Sequence, residues 1–376
     1  MSMNLSCPYS NSGGDGESYS AHLDVMSAEL LQELAALGAY TPGKDDAVYP
    51  LVKCRPLGAF SDFVAEDLGE MYDDVLAGTL MPMDLLDLVE ERASSVGRLV
   101  VPELLSRPDS REAEVAVLDI AWAERFVNVA FDDRETFHVK RNATRFFSMG
   151  RHLATAIGRY PVLQWTDIAE NYPSNDPRTF LSSGYDRLQE IHLYRVQRAI
   201  ERGSQRIVQH WLGGHPDRAA QRDILETCGR IAKAMANLSR KRQPGEFEKL
   251  DRFLSPNDEV VGHATGSFSG WTKLAGFLCT GRPDMLGSVT LADNLHAFDP
   301  RTRPWIAAIA DGRTRPLDAA QDELGEAISR RCTHFHMVHL AAVKRHAPGA
   351  LRCPAPAMRS ITNHESMNRN IKDVGT

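Results

Sequence analysis

The sequence predicts an all-α protein, and three observations lead to this prediction. Apolar residues recur three and four positions apart through most of the chain, which is the helical period. Alternation of apolar and polar residues, which would indicate strands, is rare. Neither a Rossmann nor a phosphate-loop glycine pattern occurs, and we find no internal repeat. With 376 residues, 43% of them hydrophobic, the chain is long enough for two cores.

The predicted elements follow one another as helices. Residues 1–20 are rich in Ser and Gly and are predicted to form a disordered tail. An amphipathic helix follows in MSAELLQELAALGAY. A long helix is expected in GYDRLQEIHLYRVQRAIERGSQRIVQHWLGG, ending at Gly213-Gly214. The other helical stretches are EDLGEMYDDVLAGTLMPMDLLDLVEERASSVGRLVVPELL (two or three helices), SREAEVAVLDIAWAERFVNVAF, TRFFSMGRHLATAIG and DRAAQRDILETCGRIAKAMANLSRKR. We assign residues 21–150 to a small N-terminal helical domain and residues 151–376 to a larger one.

Charge and cysteine usage narrow the class of protein. The formal net charge is −7, and basic residues alternate with acidic ones, which argues against a nucleic-acid or anionic-membrane partner. The polar N-terminus lacks the features of a signal peptide, and no apolar run reaches the ~18 residues of a membrane span. The six cysteines form neither CxxC nor CxxCH, so a zinc ribbon and covalent c-type haem are not indicated. We expect a cytoplasmic protein with reduced thiols.

Two stretches stand out as candidates for a site. GHATGSFSGWTKLAGF, residues 262–277, is glycine-rich and predicted to be non-helical, as in a loop that lies against a flat ligand. A plain turn before a helix is the alternative. RRCTHFHMVHLAAVKRH, residues 330–346, places four histidines on what otherwise resembles a core helix, at positions His334, His336, His339 and His346.

Several chemistries can be weighed for the histidine helix. Zinc sites commonly use two histidines four apart with a third ligand, and neither that spacing nor HExxH occurs among His334, His336 and His339. A hydrolase would need GxSxG, which is absent. Haem needs one neutral imidazole and an Arg for its propionates. His334 could supply the imidazole, and Arg331, one turn before it, could reach a propionate; the alternative is that these are ordinary core and surface histidines.

The segment RCTHFHMV resembles the R-x-x-H-x-x-x-V helix of the indoleamine 2,3-dioxygenase and tryptophan dioxygenase superfamily. That superfamily also includes the pyrrolnitrin-pathway enzyme monodechloroaminopyrrolnitrin synthase. The resemblance implies that His334 is the proximal ligand of haem b, that Arg331 pairs with a propionate, and that Val338 is the aliphatic residue one turn on. It also implies a helical haem domain of the indoleamine dioxygenase type with a smaller N-terminal helical domain.

Four more segments resemble the superfamily in the same chain order. RYPVLQWTDIAENY resembles the distal segment P-P-V-L-x-Y-A-D-x-V-L-x-N-W, with Trp165 in place of the Tyr. FEKLDRFLS resembles the segment that carries a substrate-stacking Phe and a carboxylate-binding Arg, here Phe247 and Arg252. FDPRTRPWI resembles the stretch before the proximal helix, where Arg303 becomes a second candidate for a propionate. GSFSGW resembles the loop over the haem edge, with matches at Gly266, Ser267, Ser269 and Gly270.

The resemblance also implies how a substrate would be held. Trp165 and Phe247 would stack on its ring, and Arg252 would bind its carboxylate. In DPRTFLSSGYDRLQEI the best match to the distal aromatic and Ser is Phe180 and Ser183, with Ser183 bonding to the oxidant or the substrate N–H. Another register puts Asp186 at the Ser position.

One departure from the superfamily bears on the reaction. The dioxygenases follow the proximal helix with a G-T-G-G loop whose Thr helps to bind the substrate ammonium, and this chain has HAPGALRCPAPAMRSITNHESMNRN instead. We therefore expect a haem-dependent oxygenase that uses O2 or peroxide on an indole or tryptophan-derived substrate in specialised metabolism. The alternatives are a pyrrolnitrin-type oxidative rearrangement and, in another class, a haem-binding sensor or a non-catalytic relative.

Overall fold

A computed structural model describes residues 36–37, 54–94, 96, 100–107, 110–131, 145–158, 184–240, 270–286, 303–318 and 322–346. Within these ranges the regular elements are all helical and none is a strand, so the all-α prediction is confirmed for this part of the chain. None of the described helices is both long and apolar enough to cross a membrane. The chain divides into two compact units, with boundaries near residues 153 and 195.

The first unit is built around one buried helix. Its elements are α1 (Ala59–Asp62), a π-helical turn (Phe63–Asp67), α2 (Leu68–Ala77), α3 (Pro82–Ser94), α4 (Val100–Leu105), α5 (Arg111–Ala130) and the first part of α6 (Arg145–Ala156). Ser110 caps α5 by accepting a hydrogen bond of 3.2 Å from the backbone N–H of Ala113. Further along α5, Phe126 contacts Tyr72 of α2 edge-on, with 5.5 Å between ring centroids. Burying such aromatic rings contributes strongly to a core.

A buried polar contact also ties α1 to α5. The hydroxyl of Ser61 donates a hydrogen bond of 2.6 Å to Oδ2 of Asp119 and accepts one of 3.0 Å from the backbone N–H of Leu57. Both side chains are 0% exposed. A buried carboxylate is costly unless donors surround it, so this contact helps to fix how α1 sits on α5.

The second unit is dominated by a pair of long helices. It contains the later part of α7 (Gly184–Gln209), α8 (Arg218–Arg240), α9 (Gly270–Thr280), a 3-10 turn (Pro283–Leu286), α10 (Arg303–Ala310) and α11 (Glu323–His346). Helix α8 packs along α11, and α9 also lies against α11. The buried apolar residues of α8 recur at helical spacing, at Ile224, Ile231, Met235 and Leu238.

Charged side chains join the helices of the second unit at their ends. Arg218 at the start of α8 donates to both carboxylate oxygens of Asp322, each at 2.6 Å. Asp322 in turn accepts a hydrogen bond of 3.1 Å from the backbone N–H of Leu324, in the first turn of α11. Between α7 and α8, Asp223 accepts a hydrogen bond from Arg206 at 2.8 Å and contacts Nε2 of His210 at 2.7 Å.

Several predicted helices are confirmed and two boundaries are corrected. The long acidic stretch holds three helices, α2 to α4, and the stretches predicted for α5, α6 and α8 are helical. Helix α7 ends at Gln209, before the glycine pair. In the turn that follows, the Trp211 indole N–H donates a hydrogen bond of 2.9 Å to the Arg315 carbonyl. The stretch 262–277 was predicted to be non-helical, which is wrong from Gly270 onward. There Trp271, Leu274 and Leu278 form one buried helical face. The tail predicted for residues 1–20 lies outside the described residues.

We predict that Ser61→Ala lowers the free energy of unfolding by about 1–3 kcal/mol, because it removes a donor from a buried carboxylate. Ser94→Ala is the matched control, since the Ser94 hydroxyl is exposed and bonds only within its own helix, to the Glu91 carbonyl. That control should change the free energy by less than about 0.5 kcal/mol. Urea unfolding of the full chain measures both, and equal losses would contradict a special role for Ser61.

Candidate functional site

Helix α11 presents two different faces. Residues four apart lie on one side of a helix, and residues two apart point in nearly opposite directions. Cys332 and His336 therefore share a face, and both are buried, at 5% and 3% exposure. His334 lies on the other side and is exposed, as is Arg331. The helix brings two sets of potential ligands into the second unit, one inward and one outward.

Three cysteines converge on the inward face. Cys228 comes from α8, Cys279 from α9 and Cys332 from α11, and their Sγ atoms all lie within 4.8 Å of one another. Each of the three is buried, and all are free thiols rather than a disulfide. Residues distant in sequence thus form one sulfur cluster, which we call the cysteine cluster.

Hydrogen bonds among the three thiols shift their pKa values in opposite directions. Hydrogen bonds from Cys228 and Cys279 lower the pKa of Cys332 well below its ordinary value, and contact with His336 lowers it further against the effect of burial. The hydrogen bond to Cys228, the hydrogen bond to Cys332 and burial raise the pKa of Cys279 well above its ordinary value. For Cys228, the bond to Cys279 lowers the pKa, but the bond to Cys332 and burial outweigh it. Among the three thiols, that of Cys332 is the one whose pKa is shifted downward.

His336 completes the inward face. It lies one turn after Cys332 on the same buried face, and its ring centroid is 5.0 Å from that of Phe335. Gly276 of α9 allows the close approach, because a Cβ at that position would lie 3.4 Å from Nε2 of His336 and 3.4 Å from Cβ of Met285. Side chains of Cys228, Cys332 and His336 line a cavity of about 10 Å³ beside the cluster, which is the volume that the centre of a single small occupant takes up.

The outward face of α11 is a stripe of exposed and half-exposed residues. His334 lies near its middle, with Arg331 one turn before it and Val338 one turn after it. Ala327 and Ala341, two turns on either side of His334, lie on the same stripe. We call this set the outward stripe. The side chains of Ala327, Val338 and Ala341 on this stripe are small or aliphatic.

The other residues predicted for the site fall in different places. Gly270 is the first residue of α9. Arg303 is the first residue of α10, and its Nη1 donates a hydrogen bond of 2.5 Å to the carbonyl of Gly158. Of the predicted residues, the structure thus brings Arg331 and His334 together. Those that lie outside the described residues are Trp165, Phe180, Ser183, Phe247, Arg252, Gly266, Ser267 and Ser269.

The cysteine cluster is the part of the site that sequence reasoning missed. The absence of CxxC argues against a zinc ribbon. Cysteine spacing along the chain does not show that three cysteines on separate helices meet. One local signal was present: Cys332 and His336 are four apart, so both project from the same face of one helix. Cys228 and Cys279 also occupy positions on the apolar faces of their helices, where a polarisable thiol packs as a small apolar group.

Comparison of the chain with protein-family models, with curated proteins and with solved structures finds no match. The described residues define the class as an all-α protein whose last described helix carries one buried and one exposed set of potential ligands. The likeness to the indoleamine dioxygenase superfamily rests on the five sequence segments described above.

Proposed function

We propose that this chain is a haem-dependent oxygenase acting on an indole or tryptophan-derived substrate, with haem held against the outward stripe of α11. The observation that carries the proposal is the exposed imidazole of His334 near the middle of that stripe, one turn from the exposed guanidinium of Arg331. Five segments that resemble one haem superfamily, in the same chain order, support it from the sequence.

The residues of the outward stripe fit a haem group. An exposed imidazole on a rigid helix can serve as an axial ligand without moving the backbone. The small and aliphatic side chains of Val338, Ala327 and Ala341 would contact a flat ring that approaches this face of the helix. Arg331 offers a planar guanidinium suited to a carboxylate such as a propionate. When bound, haem supplies the redox chemistry on O2 or peroxide, and the chain supplies orientation and polarity.

Other residues of the chain have proposed roles around the substrate. Arg252 binds its carboxylate, since a guanidinium fork pairs with both oxygens at once. Phe247 and Trp165 stack on the ring and exclude water, with Phe180 beside them. Ser183 donates a hydrogen bond to the oxidant or accepts one from the substrate N–H.

Two further proposals concern the cofactor's edge. Arg303, which donates to the Gly158 carbonyl through Nη1, is proposed as a second partner for a propionate, since a guanidinium carries five N–H groups. Gly266, Ser267, Ser269 and Gly270 would lie over the edge of the ring, where small residues would allow close backbone approach.

The nature of the substrate amine separates the proposed reactions. Because G-T-G-G is absent, the contact to a free ammonium is missing, and a substrate with a modified or absent amine is favoured. Oxidative rearrangement of the pyrrolnitrin type is a second outcome of the same chemistry. The segment after residue 346 offers Thr362 and Glu365 as groups that could replace the missing contact.

We predict that His334→Ala loses haem or leaves it exchangeable, because no other imidazole stands near the middle of the outward stripe. His339→Ala, on the same helix and half-buried, is the control and should keep haem. The measurement is the absorption spectrum of the oxidised, reduced and CO-bound protein. A normal Soret band in His334→Ala would contradict the assignment, as would a CO band of the thiolate-ligated kind.

We predict that Arg252→Leu weakens binding of carboxylate-bearing indoles by about 2–5 kcal/mol, the usual loss when one partner of a buried charge pair is removed. Decarboxylated analogues should bind almost unchanged. Spectral titration of the haem protein under anaerobic conditions measures both. Equal losses for the two ligand types would indicate that Arg252 supports the fold and not the substrate.

We predict that free L-tryptophan is a poor substrate and that N-formylkynurenine is not the main product. Anaerobic titrations should show that indole-3-propionate binds about as well as L-tryptophan, because no ammonium contact favours the latter. Much tighter binding of tryptophan, lost when the chain is truncated after residue 346, would instead indicate an ammonium site in the tail. Rapid turnover of tryptophan to N-formylkynurenine would overturn the specialised reaction.

A further inference from the structure

We propose that the cysteine cluster and His336 together bind one Zn²⁺ ion in a buried, four-coordinate site that joins helices α8, α9 and α11. The ligands would be the Sγ atoms of Cys228, Cys279 and Cys332 and one ring nitrogen of His336. This site lies on the inward face of α11 and is separate from the haem proposed for the outward stripe.

The positions of the three sulfur atoms suit a tetrahedral ion. Zn–S bonds of about 2.3 Å at tetrahedral angles place sulfur atoms about 3.8 Å apart. The three sulfurs lie within 4.8 Å of one another, so a contraction of an ångström or less brings them to bonding positions. His336 follows Cys332 by one turn and is buried on the same face of α11, so a movement of its side chain toward the three sulfurs would supply the fourth ligand.

The polar chemistry of the cluster also points to a cation. Three thiols and an imidazole are packed together at 5% exposure or less, and an S–H group is a weak donor that compensates poorly for lost water. A divalent ion would replace the weak thiol contacts with metal–sulfur bonds and would release the protons of the three thiols to solvent.

The donor set selects the ion. Thiolate sulfur disfavours Mg²⁺ and Ca²⁺, which prefer oxygen, and three sulfurs with one nitrogen is a common zinc set. A tetrahedral set of three thiolates and one imidazole on a single ion matches a structural zinc site. Since all four positions are filled by side chains, the ion has no open position for a substrate, and the site is structural.

Such a site would set the rotation of α11 about its own axis. The ion would hold Cys332 and His336 toward Cys228 of α8 and Cys279 of α9, and it would thereby hold His334 outward on the opposite face. The zinc site and the outward stripe are therefore coupled by one rigid helix, although neither shares a ligand with the other.

Zinc content of the full chain tests the proposal directly. The protein is purified under reducing conditions, and zinc and iron are measured separately by elemental analysis, so that a missing haem does not affect the result. We expect about one zinc per chain, a number that follows from one four-ligand site. Replacing zinc by Co²⁺ should produce the visible bands of a tetrahedral ion and a near-ultraviolet thiolate charge-transfer band.

Two serine variants identify the ligands. Cys279→Ser removes a ligand that lies on a different helix from His334. The affinity of this variant for zinc, measured in competition with a chelator, should fall by more than about tenfold. A tenfold loss is the lower end of what outer-shell partners of a metal contribute. Cys54→Ser is the matched control, because Cys54 is a free thiol of the first unit, and it should retain wild-type zinc. Removal of zinc by the chelator should lower the melting temperature of the wild type and leave that of Cys279→Ser unchanged.

Three results would overturn the proposal. One is the absence of zinc together with no Co²⁺ thiolate band on titration of the reduced wild type, which does not depend on any variant folding. Another is equal zinc affinity of Cys279→Ser and the wild type in competition with the chelator. The third is a disulfide between two of the three cluster cysteines in the protein as purified under reducing conditions, detected by mass spectrometry after alkylation.

Discussion

The packing of α8 against α11 is the constraint on which the second unit depends. Each helix buries an apolar stripe against the other, and charged contacts are kept at the ends, as with Arg218 and Asp322. Near the middle of both helices the pattern changes, because Cys228 and Cys332 meet there with Cys279 of α9. The position of α11 therefore depends on a polarisable sulfur cluster as well as on close-packed apolar side chains.

A core selected only for packing would not need three thiols and an imidazole at this position. Aliphatic side chains would fill the space without burying an imidazole or three thiols, whose weak hydrogen bonds compensate poorly for lost water. The buried face thus resembles a ligand set, while the outward face carries a second imidazole, that of His334. Because a helix turns by about 100° per residue, two adjacent sites of different chemistry can be built from one short segment.

Much of the helical architecture follows from local sequence. Apolar spacing located α2 to α6 and α8. Helix boundaries differ from the prediction where local signals are weak. Helix α9 begins at Gly270 because its buried face, including Trp271 and Leu278, stabilises a helix that glycine content alone disfavours. Tertiary burial outweighed local propensity at this position.

The sequence by itself determined the helical class and the neighbouring positions of Arg331 and His334, because residues one turn apart on a helix are adjacent whatever packs around them. It also determined that Cys332 and His336 share a face. Only the tertiary structure decided which face of α11 is buried, and only it brought Cys228 and Cys279 to that face. Contacts between separate helices depend on how their surfaces fit, and helical periodicity carries no information about that fit.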